Sequence, residues 1–268
     1  MILENIDKIK ENGIVKINNF LSNEELKRFS KIITFYSAPK NHPDSYFPIN
    51  YKGTFLKIFK LKFKNFSHSL EILRLQKKKE LNILANNFFK KKSYLHFIDG
   101  YYSKVSKSAI LPWHTDQAYS GNKTEEMEIN NPDNFYLKIF IYLTDVGPNN
   151  GCMSYIPKSH KFGYAIRKGI FEQKIHYQPY WRLQDFRKII LDNKKYFKDY
   201  FKDEQIINNF IYQTDFIEKG QENEKSNFDY SAKAGSAIIF DEGGVHKGSK
   251  PQQSDRMVLR YLYSIKKK

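Results

Sequence analysis

The sequence predicts a mainly β fold with flanking helices, a β-sandwich or jelly roll. Three observations predict it: short apolar or alternating runs of strand type, glycine and asparagine turns between them, and helical patterns kept to the N-terminal third and one long insertion.

Ile14 to Glu25 reads as a strand followed by Ser22-x-x-Glu25, a capping box that starts a helix. Helical patterns then run over Glu24 to Tyr36 and Leu70 to Phe89, placed to brace one sheet. Ala109-Ile110-Leu111 and Trp113 lead a strand into the core at His114. Tyr136 to Val146 reads YLKIFIYLTDV, with Leu137, Ile139, Ile141 and Leu143 on one face and Tyr136, Lys138, Phe140 and Tyr142 on the other, as a central strand requires. Asn149-Asn150-Gly151 is a turn, Cys152 to Ile156 a short strand, and Pro157-Lys158-Ser159-His160 closes it. Arg182 to Ile190 and Glu204 to Phe216 look helical. Ser236 to Phe240 is an apolar strand, Asp241 to Gly244 a turn before His246, and Arg256 to Ser264 a final alternating strand.

His114-Thr115-Asp116, answered by His246 and by Arg256 ten residues later, is the chemically loaded constellation. Residues i and i+2 of a strand share a face, so His114 and Asp116 can approach one ion. Two imidazoles and a carboxylate are the set that holds non-haem Fe(II) with three positions open. A histidine hydrogen-bonded to an aspartate, or an exposed strand end, fits the tripeptide alone equally well. His-x-Asp occurs twice where composition predicts fewer than one; the other, His42-Pro43-Asp44, lies among Pro39, Pro43 and Pro48 and reads as a surface turn. His160 follows a turn proline and reads as structural, and His68, His96 and His176 lack a ligand-spaced partner.

The chain resembles the phytanoyl-CoA dioxygenase-like Fe(II)/2-oxoglutarate oxygenases in LPWHTD (111 to 116), LKIFIYLTDVGPNNGCMSYIPKSH (137 to 160) and GSAIIFDEGGVHKGSKPQQSDR (235 to 256), and in its opening over Ile14 to Glu25. The resemblance implies a double-stranded β-helix (jelly roll, cupin-like) with N-terminal helices and a helical lid insertion. It makes His114, Asp116 and His246 the iron ligands, and Arg256 the partner of the distal carboxylate of 2-oxoglutarate. The implied cofactors are Fe(II), 2-oxoglutarate as cosubstrate and O2. A planar guanidinium suits that carboxylate because it binds bidentately and keeps its charge when partly buried. Arg260, on the same strand face, is the rival. Two departures stand out: Lys158 where the family often has glycine, and Gln252 and Gln253 near a position often held by asparagine. Related halogenases replace the aspartate by a small residue; Asp116 is present, which favours hydroxylation.

A chain of 268 residues, 40% hydrophobic, can bury one substantial core, so residues 1–268 read as a single domain: an N-terminal strand and bracing helices over 1–92, and a jelly-roll core over 93–268 with insertions at 117–134 and 162–232. Both insertions start beside the expected mouth and are lid candidates; Tyr119, Tyr180 and Trp181 are the aromatics to watch there. No apolar run reaches the roughly 18 residues of a membrane span, and the first residues lack a signal-peptide core. The single cysteine, Cys152, excludes an intrachain disulfide and fits a cytoplasmic location. The net charge of +16 comes from 38 Lys and only 7 Arg in a chain rich in Asn, Ile, Phe and Tyr, the bias of an AT-rich genome rather than a nucleic-acid surface. The sequence thus points to an oxygenase that hydroxylates a small-molecule substrate, with succinate and CO2 as co-products and no nucleic-acid or membrane partner. The alternative is a non-catalytic cupin-like protein that binds metal or a small molecule and has no need of Arg256. No signature marks a particular substrate or oligomeric state.

Overall fold

A computed structural model describes residues 3–37, 44–47, 63–105, 111–116, 136–219 and 228–265. Among these residues ten strands form two antiparallel sheets. The larger has the order β1 (Ile14–Ile17), β8 (Ala237–Asp241), β5 (Tyr136–Tyr142), β10 (Arg256–Ser264), β3 (Tyr94–Ser103), β2 (Asp44–Phe47). The smaller has the order β4 (Leu111–His114), β9 (His246–Gly248), β6 (Met153–Tyr155), β7 (Asp229–Tyr230).

The alternation along β5 decides the layering. Leu137, Ile139 and Ile141 are fully buried on the outer face, in one cluster with residues of α1 (Ile6–Asn12), α2 (Asn23–Ser37), α3 (Phe63–Lys78) and α4 (Leu81–Phe89). Each such side chain contributes roughly 1.5–3 kcal/mol by leaving water. Tyr142 and Phe140 point the other way, into a second cluster with Met153 and Tyr155 of the small sheet and Phe240 and Val258 of the large one. That inter-sheet layer is where the site lies.

The predicted capping box is formed: the Glu25 amide donates to Ser22 Oγ at 3.2 Å and the Ser22 amide to Glu25 Oε2 at 2.9 Å. The helix expected over Leu70 to Phe89 is instead two, broken at Glu80, whose φ is 52°. Continuing the phase of buried Ile72 and Leu75 would turn Lys79, Asn82 and Asn86 inward; the break lets Leu81, Leu84, Ala85 and Phe88 be buried instead.

Two further expectations need correction. The fold is mixed rather than mainly β, since more of the described residues are helical than extended. Much of the excess lies after β6, where α5 (Ser159–Phe171), α6 (Leu183–Asp192), α7 (Lys194–Phe201) and α8 (Glu204–Glu218) form their own core around Phe162, Ile166, Phe186, Ile190, Phe197 and Phe210. The sequence pattern marks α6 and α8 but not α5 or α7. Asp44, expected in a surface turn, opens β2 and pairs with Ser103. An edge strand tolerates a proline just before it; His42 and Pro43 lie outside the described residues, as do Tyr119 and the 117–134 insertion.

Candidate metal centre

His114 and His246 face each other as a register pair across β4 and β9, with ring centroids 4.4 Å apart. β4 is an edge strand, which accommodates Pro112. The Pro112 carbonyl lies 2.7 Å from His114 Nδ1, and the Gly244 carbonyl 3.0 Å from His246 Nδ1. A carbonyl only accepts, so both Nδ1 atoms carry the proton and both Nε2 atoms present lone pairs. The two imidazoles are thereby oriented alike by the backbone two residues before each.

Asp116 completes the set by a different route from the one expected. β4 ends at His114, and Asp116 sits in a bend beyond it rather than on the same strand face. Thr115 makes the bend: its amide donates to the Trp181 carbonyl at 3.1 Å and its hydroxyl to the Glu242 carbonyl at 3.1 Å. The Asp116 carboxylate then lies 3.3 Å from His114 Nε2 through Oδ1 and 3.3 Å from His246 Nε2 through Oδ2. One ligand atom from each residue falls within 4.8 Å of the others, the one such cluster among the described residues. His114 Nε2 is buried without a protein hydrogen-bond partner, as suits a nitrogen whose lone pair is kept for a metal. Two neutral imidazoles and a carboxylate fit a divalent first-row ion.

The local electrostatics keep the set in its binding form. Burial opposes a charge on Asp116, yet the Lys138 ammonium at 2.5 Å and the two histidines outweigh it and hold the carboxyl well below its usual range. Burial lowers the His246 pKa against the pull of Asp116, favouring the neutral ring. Lys138 also reaches Glu242 Oε1 at 2.5 Å. Neither Lys138 nor Glu242 stands out from the sequence as a site residue; the available signal is a lysine inside the apolar run YLKIFIYL, on the inner face of a central strand.

A cavity of about 260 Å³ opens beside this cluster, lined among others by Tyr101, Lys138, Met153, Lys247, Arg256 and Arg260. Its charged lining is mostly cationic. Arg256 starts β10, is 5% exposed, and has a buried Nε without a hydrogen-bond partner. Its aliphatic stem runs against Gly151, where an added Cβ would lie 2.7 Å from Arg256 Cδ. Arg260, the rival, is tied to buried Asp99, with Nε donating to Oδ1 at 2.6 Å and a second ion pair to Oδ2.

The remaining sequence candidates fall away from the metal. Asp241, at the end of β8 and in register with Leu137 of the outer face, accepts from Tyr164 Oη at 2.9 Å and the Gly243 amide at 2.7 Å. His160 is buried, with Nε2 3.0 Å from the Lys10 carbonyl, a structural role. His96 packs against Tyr136, His68 against Phe35, and His176 is exposed. Lys158 keeps the turn that glycine usually makes by adopting a φ of 68°. Of the aromatics in the 162–232 insertion, Tyr180 is fully buried in packing, whereas the Trp181 ring lies 5.2 Å from His114.

The family model described as phytanoyl-CoA dioxygenase (PhyH) matches residues 9–258. The chain belongs to the phytanoyl-CoA dioxygenase family. No curated protein matches it. Among solved structures, HygX from Streptomyces hygroscopicus with nickel and 2-oxoglutarate bound aligns with a TM-score of 0.55 at 13% identity, over 97% of this chain and 85% of that one. SnoK, a non-heme alpha ketoglutarate dependent carbocyclase from nogalamycin biosynthesis, aligns at 0.55 and 14%, over 97% and 83%. The epimerase SnoN in complex with Fe3+, alpha ketoglutarate and nogalamycin RO aligns at 0.53 and 11%, over 98% and 82%. At these identities the likeness establishes a shared cupin-type fold for this phytanoyl-CoA dioxygenase family member. Among its described residues, no helix is long and apolar enough to cross a membrane.

Proposed function

We propose that the chain is a non-haem Fe(II)- and 2-oxoglutarate-dependent oxygenase that hydroxylates a small-molecule metabolite, with succinate and CO2 as co-products. The observation that carries the proposal is the pairing, within one cavity, of an N,N,O ligand cluster with a buried guanidinium that no acid among the described residues neutralises. His114, Asp116 and His246 would hold the iron, and Arg256 the distal carboxylate of the cosubstrate. Iron, when bound, supplies the activation of O2 that no side chain here can supply.

The protein contributes position and exclusion of water. The backbone carbonyls of Pro112 and Gly244 fix the histidine tautomers, and Gly151 leaves room for the Arg256 stem. Trp181, from the 162–232 insertion, packs with its ring centroid 5.2 Å from that of His114, and this insertion is the segment we assign to substrate selection. The solved relatives point the same way: one HygX structure holds hygromycin B and one SnoN structure nogalamycin RO, both small molecules. A lone buried cysteine, Cys152, suits a cytoplasmic enzyme.

The test is anaerobic loading with Fe(II) and 2-oxoglutarate, followed by air. Protein-dependent succinate and a weak visible charge-transfer band are expected, and His246→Ala should lose most of its iron along with both signals. Neither succinate nor cosubstrate binding, in protein that holds stoichiometric iron, leaves the non-catalytic binding protein as the reading.

A further inference from the structure

Asp116 is the ligand with the least main-chain support. Both histidines lie on paired strands and are pinned by carbonyls, whereas Asp116 lies in a bend whose hydrogen bonds are made by Thr115. What reaches its carboxylate from outside the ligand set is Lys138, the one Lys or Arg within ion-pair distance among the described residues. Lys138 projects from β5, in register with Phe240 of β8, and its side chain is 6% exposed. Its ammonium passes 5.7 Å from the Phe240 ring centre and lies 2.5 Å from both Asp116 Oδ2 and Glu242 Oε1. Glu242, 8% exposed, is a second anchor for the same ammonium.

We propose that Lys138 is a positioning residue that commits one oxygen of Asp116, so that this ligand gives the metal a single oxygen. The inference rests on the metal-site reading above. A carboxylate free of the ammonium can bind through both oxygens and occupy a fourth of the six positions around the ion. Only two would then be open, too few for a chelating 2-oxo acid and O2 together. The large sheet, through Lys138, thus sets how many positions the small-sheet ligands leave free.

The test uses Mn(II) alone, without 2-oxoglutarate. Water-proton relaxation of the Mn(II)-loaded protein counts exchangeable waters on the ion, and the wild type is expected to show about three. Lys138→Met combined with Glu242→Gln removes both buried charges together, a change that buried pairs often tolerate. It is expected to lower the inner-sphere relaxivity per bound Mn(II) by about one third as Asp116 takes the ion with both oxygens. Lys138→Arg should restore the wild-type value. Unchanged relaxivity in the double variant overturns the proposal, and so does a folded double variant that no longer binds Mn(II), because a freed carboxylate should bind more strongly. Should that chain not fold, Lys138→Gln is read the same way. A wild-type protein that shows three waters yet never takes 2-oxoglutarate sinks the oxygenase reading and leaves this one standing.

Discussion

The inner face of β10 carries the same residue at its start and at its middle, four positions apart, and uses it in opposite ways. At Arg260 the guanidinium is closed off by Asp99, its register partner on β3, and the pair is nearly fully buried. At Arg256 the register partner is Ser103, which offers no charge, and the residue lines the cavity beside the His114, Asp116 and His246 cluster. The lesson is that residue type and strand face do not assign a role here; the neighbouring strand does. An arginine opposite an aspartate ties two strands together, and an arginine opposite a serine meets no carboxylate across the strand.

The largest effect should come from breaking the closed pair. Arg260→Ala removes the guanidinium that pairs with buried Asp99, and breaking a buried pair from one side costs on the order of 3–5 kcal/mol, which denaturant titration should show. The apparent 2-oxoglutarate constant of the same variant should stay within about threefold, roughly 0.7 kcal/mol. A destabilised protein that also loses cosubstrate would break the contrast.

At the open end the readouts exchange places. Arg256→Ala should raise the apparent 2-oxoglutarate constant at least about tenfold, consistent with a loss of about 2–5 kcal/mol when a buried anion loses its partner. Stability should change far less than in Arg260→Ala, because no carboxylate is left behind, and metal content should stay near wild type. Calorimetric titration with 2-oxoglutarate under anaerobic conditions measures the first, and metal analysis the last. The reverse pattern across the two arginines would transfer the role to Arg260.

The smallest change sharpens the comparison without touching either charge. Gly151 has a φ of 73° and packs on the Arg256 stem. Gly151→Ala puts a Cβ 2.7 Å from Arg256 Cδ at a left-handed φ, so the stem must move away and the turn is strained; the 2-oxoglutarate constant should rise about threefold, roughly 0.7 kcal/mol, while Arg260 and its pair stay unaffected. An unchanged constant in a stable Gly151→Ala protein would mean that the stem has slack, and that Arg256 is not held as tightly as the contact implies.

Much of the site and part of the fold are legible in the amino-acid sequence. His114, Asp116 and His246, singled out by residue type and by family resemblance, do come together in one cluster that could hold a metal ion. The nearly continuous apolar and aromatic run over Tyr136 to Tyr142 identifies a central strand, because a strand buried on both faces carries such residues at consecutive positions. The capping box at Ser22 is equally local.

What only the tertiary structure decided are the partnerships between distant residues. Asp99 and Arg260 are 161 positions apart, so no local pattern shows that this arginine is occupied and Arg256 is not. Asp116 reaches the histidines through a bend anchored on Trp181 and Glu242, far along the chain, and not through the strand geometry that its spacing implies. Lys138 is, in sequence, one polar residue in an apolar run; its role depends on Glu242, brought within ion-pair distance by the turn before His246. Motif chemistry is local and survives in sequence; the pairing of buried charges is set by strand register, and register exists only once the sheets have formed.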